Sequence, residues 1–446
     1  MSPQASETKG DEQARDCQAQ KTADEVARRS YGKLVAFLAA RTHDVAVAED
    51  ALSEAFLSAL ADWPQNGCPA NPEGWLLTVA RRKVIDAARR HSTTEAASVE
   101  LQILAEGLEA AAAESAEIPD RRLALLFACA HPAIEAGVRA PLMLQVVLGL
   151  DAKRIASAFL SSPAAMGKRL VRAKDKIRQA GIPFRVPERE ELPPRLDAVL
   201  EAIYAAFAEG WTGPGGAEGG MDVVRRDLTA EAIFMARLVT ELLPDEPEAL
   251  GLLALMLHAE ARRLARRSAA GEFVPLAEQD PALWDTQMID EAEALLHRAG
   301  TRGVVGRYQL EAALQSAHVD RCRTGKANWT EVAALYDALF AISGSPVVAI
   351  NRALAIAELR GAQAGLEALP EPASDARLAE YQPYWAARAE LLSRTDAREE
   401  AWDAYEIAIG LERDGAVRRF LQGRQARLNL GRDVIAEGGA TWKLGG

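Results

Sequence analysis

The chain has 446 residues, with 52 lysines and arginines against 64 aspartates and glutamates and a formal net charge of −12. That length predicts two to four domains, and a hydrophobic content of 49% gives each of them an interior to bury. Four scattered cysteines, Cys17, Cys68, Cys129 and Cys322, exclude a zinc site and a disulfide framework, and the longest apolar stretch, around Ala249–His258, is too short to cross a bilayer. Reduced thiols in a soluble cytoplasmic protein are the expectation.

Alanine, leucine, arginine and glutamate dominate, and hairpin turn dipeptides between alternating strands are scarce, so the expected fold class is all-α. Charge is sorted along the chain. Residues 1–183 carry 23 basic and 23 acidic side chains, leaving 29 basic and 41 acidic for 184–446. Within the neutral part, Asn71–His91 holds five basic and two acidic residues and Asp151–Arg178 holds eight and two. Between them, Thr93–Asp120 holds seven acidic residues and no basic one. One such basic helix is commonly solvated surface; two in one chain suit a polyanion touching both.

The polar first twenty residues read as a loose tail. From Val45 to Trp63 the spacing predicts a helix burying Val45, Ala48, Leu52, Ala55, Phe56, Ala59 and Trp63. Asp50, Glu54 and Leu57 line its opposite face, a combination that suits either solvent or a protein partner. The next helix, Asn71–Arg90, buries Leu76, Leu77, Ala80, Val84, Ala87 and Ala88. Opposite them stand Trp75, Thr78, Val79, Arg82, Lys83, Asp86, Arg89 and Arg90. Trp75 among cations either stacks on an unpaired base or packs on a neighbouring helix. The acidic strip that follows is either a mimic of RNA phosphates or a tether kept off DNA by repulsion.

Ala152–Phe159 predicts a short amphipathic helix, Leu160-Ser161-Ser162 a turn, and Pro163 the first residue of a second helix capped by Ser162. Met166, Leu170, Ala173 and Ile177 form the second helix's apolar stripe. Ala164, Ala165, Lys168, Arg172, Asp175 and Lys176 point away from it, with Arg169 on the flank. This is a helix-turn-helix pattern, which plain helical hairpins also produce; in a DNA-binding version the small alanines would permit close approach to base edges.

Beyond Pro193 the chain is again helical. The glycine-rich stretch 210–220 lacks the lysine and hydroxyl residue of a phosphate loop and reads as a connection. Trp385, Ala389, Ala401, Tyr405 and Ala408 fall at tetratricopeptide-repeat (TPR) spacings, as do Ala334, Ala338, Ala341 and Pro346, and Asn351 precedes Trp385 by 34 residues, one repeat period. Such repeats predict either a concave surface for a peptide or protein, or a rigid brace. Six histidines show no metal-ligand spacing and no catalytic motif stands out, so neither a cofactor nor an enzymatic activity is expected.

Taken together, the N-terminal 180 or so residues resemble an extracytoplasmic-function (ECF) RNA polymerase sigma factor. "AEDALSEAFLSAL" is similar to that class's region 2.2, "NPEGWLLTVARRKVIDAARR" to regions 2.3 and 2.4, and "LDAKRIASAFLSSPAAMGKRLVRAKDKIR" to region 4.2. Several longer segments, among them "PDRRLALLFACAHPAI" and "SPVVAINRALAIAE", resemble the subgroup with a C-terminal TPR extension. The resemblance implies core RNA polymerase and promoter DNA as partners. It assigns Asp50, Glu54 and Leu57 to polymerase, Asn71, Trp75, Arg82, Lys83, Asp86, Arg89 and Arg90 to the minus-10 element, and Ala164, Ala165, Lys168, Arg169, Arg172 and Lys176 to the minus-35 element. Two segments depart from the pattern: Gly167 stands where the class often has lysine, so base preference does not carry over, and 279–285 is less basic than usual.

The expected domains are a tail (1–21), a sigma region 2 domain (22–92), an acidic linker (93–118), a region 4 helix-turn-helix domain (119–182), a linker (183–192), a helical extension (193–326) and TPR-like repeats (327–430). The extension either holds the sigma domains closed by intramolecular contact or helps them engage polymerase, and its repeats could take a protein ligand. An autonomous helix-turn-helix regulator and a TPR scaffold are the competing readings.

Overall fold

The computed structural model describes residues 4–91, 120–159, 161–212, 219–371 and 376–438. Among these the fold is all-α: every regular element is helical, and one isolated bridge pairs Arg267 with Phe273. None of the described helices is long and apolar enough to cross a membrane. The chain forms two compact units, one of residues 1–211 and 223–238 and the other of 212–222 and 239–446.

The first unit begins with α1 (Gln4–Thr42). Residues 4–21, expected as a loose tail, are its first turns instead. Their glutamines, glutamates and alanines are good helix formers, and Ala19 and Ala23 are buried on the way to the apolar run Leu34–Ala39. His43, with φ of 51°, reverses the chain, and the Asp44 carboxylate caps α2 (Val45–Asn66) by accepting from the amides of Ala46 at 2.9 Å and Val47 at 3.2 Å. The stripe expected of α2 is its buried face, except that Phe56 is half-buried. In α3 (Pro72–His91), Leu76, Ala80 and Val84 are buried and Leu77 partly so. After the undescribed 92–119 come α4 (Arg122–Cys129), α5 (Ala136–Val146), α6 (Ala152–Ala158) and α7 (Pro163–Gln179). Two helices from beyond Pro193 complete this unit: α8 (Pro193–Thr212) and residues 223–238 of α9 (Gly219–Leu242). Arg154 of α6 pairs with Glu209 of α8 at 3.2 Å, and Arg122 pairs with Glu231 of α9.

The second unit stacks α10 (Pro247–Ala261), α11 (Thr286–Gly300), α12 (Arg307–Thr324), α13 (Trp329–Ser343), α14 (Pro346–Arg360), α15 (Ala362–Ala368), α16 (Gln382–Arg394), α17 (Arg398–Leu411) and α18 (Gly415–Gly438). Ala389, Ala401, Tyr405 and Ala408 form one core with Leu392, Ala404 and Leu421, and Trp385 packs against it. The other alanine set behaves differently: Ala334, Ala338 and Ala341, which a repeat would bury, face solvent along α13.

His258 lies inside α10 with no solvent exposure and no hydrogen bond to either ring nitrogen. Glu293 stands 3.4 Å away, yet burial, followed by Arg262 and Arg323, lowers the imidazole pKa to about 4. Burial, with Arg321 and Arg262, does the same to His318. The unfolded chain therefore takes up protons between about 6.5 and 4 that the folded unit refuses. Stability falls as pH drops through that window, by up to about 3 kcal/mol for His258 alone. Thermal melts at pH 7.5 and pH 5 should show the loss, and His258→Leu should reduce it substantially; an undiminished loss in that variant would count against the imidazole.

Candidate nucleic-acid interface

The outward face of α2 carries Asp50 and Glu54, both exposed, with Leu57 67% and Leu60 45% exposed beside them. Two solvent-facing leucines within one turn among carboxylates form a small amphipathic strip suited to another protein. Lys83 of α3 reaches Glu54 at 3.2 Å, so one ion pair joins this strip to the basic surface of α3. On that surface Arg82 is exposed with no ion-pair partner among the described residues, and Asp86 is exposed and engaged by a neighbour.

Two residues assigned to the same surface have structural work. Asn71 caps α3, its side-chain oxygen accepting from the Gly74 amide at 2.9 Å. Trp75 is half-buried, its ring set edge-on against the fully buried Trp63 with centroids 5.5 Å apart, because the first turn of α3 lies over the end of α2. Trp75 is thus not the freely exposed platform that stacking on a base requires. The side chains of Arg89 and Arg90 lie outside the described residues, as does the acidic strip up to residue 119.

In α7 the Ser162 hydroxyl accepts from the Ala165 amide at 3.2 Å and Pro163 opens the helix. Met166, Leu170, Ala173 and Ile177 are buried, so the side bearing Ala164, Ala165, Lys168, Arg172 and Lys176 is exposed. Lys168, Arg172 and Lys176 have no ion-pair partner among the described residues. Arg169 differs: its guanidinium donates to the Gly137 carbonyl at 2.8 Å and to Glu135 at 3.3 Å. At its position on the flank it holds α7 to the start of α5 and is occupied within the protein.

Four residues with evident roles were not singled out from the sequence. Val171 is 61% exposed on the cationic side of α7. Lys174, on another edge of α7, forms a largely buried ion pair with Glu49 of α2, the two side chains 14% and 12% exposed. Burial raises the Glu49 pKa, with Lys174 opposing. Arg178, one turn on, donates to Asp44 at 3.4 Å and to Asp175 at 2.9 Å. Nearby, α1 presses on the turn after α5, and a Cβ placed on Gly32 would stand 1.8 Å from the Val147 carbonyl oxygen. The three-helix N-terminal part and the α4–α7 part are therefore packed against each other. A lone glycine within the helical run "RRSYGKL" was the available signal for the closest of these contacts.

Residues 26–94 match the sigma-70 region 2 family, and residues 195–300 match a family of unknown function. The sigma-70 likeness is thus carried by the first helices of the chain. The chain belongs to one family with an uncharacterized protein of Rhizobium meliloti (strain 1021), 38% identical over 396 residues, 88% of this chain and 92% of that one. It is 31% identical over 163 residues to the probable RNA polymerase sigma factor RfaY of Xanthomonas campestris pv. campestris, across 34% of this chain and 40% of the relative. No solved structure matches it. The α2 strip and the basic surface of α3 both fall inside the region 2 match, whereas α7 lies outside both matched ranges.

Proposed function

We propose that the protein is a sigma factor of the ECF class: it binds core RNA polymerase through the Asp50, Glu54 and Leu57 strip, reads a minus-10 element with α3 and a minus-35 element with α7, and starts transcription without itself catalysing a reaction. The observation that carries this reading is the pairing, within one unit, of an amphipathic strip on the matched region 2 segment with a helix-turn-helix-shaped pair on which Lys168, Arg172 and Lys176 have no ion-pair partner among the described residues. Phosphates supply the attraction such cations need.

The same unit is closed in a way that simultaneous promoter contact forbids. The two promoter elements are separated by about 25 base pairs, or roughly 85 Å at 3.4 Å per base pair. With α7 joined to α2 by Glu49–Lys174 and α3 packed on α2, the DNA-facing surfaces of α3 and α7 cannot be that far apart. Promoter engagement on this reading therefore requires the α4–α7 part to swing away from α1 and α2. The contacts of Arg154 with Glu209 and of Arg122 with Glu231 enlist helices of the extension in the closed form, which supports an inhibitory sign for the extension. In the second unit a cavity of about 610 Å³, lined by Trp329, Tyr336, Ile350, Tyr381 and Phe420 among others, is the proposed seat for a protein ligand of the TPR-like helices.

The deciding experiment mixes the full chain with core polymerase and a pool of promoter fragments and sequences the transcripts. Defined start sites that require both components are expected, and Leu57→Asp should abolish them by placing a charge in the polymerase contact. Sequence-specific binding to duplex DNA without polymerase would replace this reading with that of an autonomous regulator.

A further inference from the structure

Gly167, on the flank of α7, and Val171, toward its outward side, are both poor helix formers. Gly167 sits in the second turn, where glycine is less favourable than alanine. A Cβ there would meet nothing within 4 Å, so no close packing requires its absence. Val171, one turn later, is β-branched, which is unfavourable in helices, and is 61% exposed. At ~100° per residue, Val171 lies within about 50° of the point opposite the buried ridge, between Gly167 and Ala164. Because helical side chains lean toward the N-terminus, its methyl groups overhang the bare backbone at Gly167.

The result is a shallow apolar step, with Lys168, Arg172 and Lys176 along one side, none of them ion-paired among the described residues. Three unpaired cations specify an anionic partner, and an apolar step among them specifies one with apolar features beside its phosphates. Duplex DNA has that chemistry in its major groove, where the thymine 5-methyl is the apolar group on a base edge.

We propose that Val171 contacts a thymine 5-methyl in the upstream promoter element and that Gly167 sets the depth at which the helix enters the groove. This rests on the sigma-factor reading and adds to it the base and the contact that reads it. Lys168 and Arg172 hold the flanking phosphates and fix the register.

The test uses the full chain with core polymerase on a promoter selected from a pool randomised in the upstream element. Each thymine of the selected element is replaced in turn by deoxyuridine, which lacks only the 5-methyl. At one position the replacement should weaken open-complex formation about fourfold, the worth of one buried methyl-sized group at ~0.8 kcal/mol. Val171→Ala should weaken the thymine promoter and abolish the thymine–deoxyuridine difference at that position. Gly167→Ala should raise the melting temperature yet weaken promoter binding, a split that a merely structural glycine would not give. If transcription is promoter-specific but no position senses the methyl, or Val171→Ala retains the full difference, the base contact is wrong and the sigma-factor reading stands. If no promoter is selected at all, both fall together.

Discussion

Gly32→Ala is expected to open the first unit. Alanine would ordinarily stabilise a helix interior by about 1 kcal/mol over glycine. Here its methyl would lie 1.8 Å from the Val147 oxygen and 2.9 Å from the carbonyl carbon, and both are backbone atoms that cannot rotate aside. The helix and the turn must separate, and overpacking of this kind typically costs 1–3 kcal/mol, or about a 5- to 150-fold shift toward the open form. None of the outward residues of α2, α3 or α7 is touched. The variant should keep its helical circular dichroism, show a larger hydrodynamic radius, and bind core polymerase and promoter more tightly than the parent. A variant as compact as the parent and more stable would show that the Gly32 contact does not hold the two parts together.

Lys174→Met should have a larger effect by a different route. It leaves the Glu49 carboxylate largely buried without its cation, and breaking one side of a buried pair costs about 3–5 kcal/mol. The double variant Glu49→Leu with Lys174→Met should recover most of that loss, since an apolar pair avoids desolvating two charges. The pH dependence follows from Glu49, whose pKa burial has raised above the usual carboxylate value. The closed form then holds more protons than the open one just above that value, so closure weakens as pH rises through this window. Removing Lys174 removes the opposing influence, so the weakening should become steeper. Hydrogen exchange at the amides of Leu170–Ile177 measures the opening; equal protection in the single and double variants would show that the pair contributes nothing to closure.

The helices and their buried faces were legible because each follows from a short-range period. The α7 ridge of Met166, Leu170, Ala173 and Ile177 is spelled out within twelve residues, and the structure buries all four. The helical start of the chain was missed because its residues favour helix without giving it an apolar stripe, so only the contacts of Ala19 and Ala23 reveal it. The candidate surfaces divide in the same way. Lys168 and Arg172 could be placed from the helix phase alone. Arg169 and Lys174 could not, because Glu135, Gly137 and Glu49, which engage them, are remote in sequence and look like ordinary surface. Trp75 was open to two readings, and the contact with Trp63 that one of them needs is visible only in the fold. The residues that close the unit were illegible for one reason: a glycine beside a carbonyl and a lysine beside a glutamate have no periodicity to betray them.

Arg122 has a wider consequence for how this chain is organised. It is 8% exposed at the start of α4 and chelates Asp120, with Nη2 to Oδ2 at 2.6 Å, while its other terminal nitrogen holds Glu231 on α9. Burial alone would raise the Asp120 carboxyl, but the hydrogen bonds from Arg122 keep it below its usual range. A carboxylate more than a hundred residues downstream thus completes the polar interior of the N-terminal half. Two of the later helices, α8 and part of α9, belong to the same unit as the N-terminal segment, so a boundary drawn at Pro193 divides one unit rather than separating two. Cutting the chain near Pro187 would strand Arg122 and Arg154 without their distant carboxylates, so any release of the closed form would come together with a loss of stability.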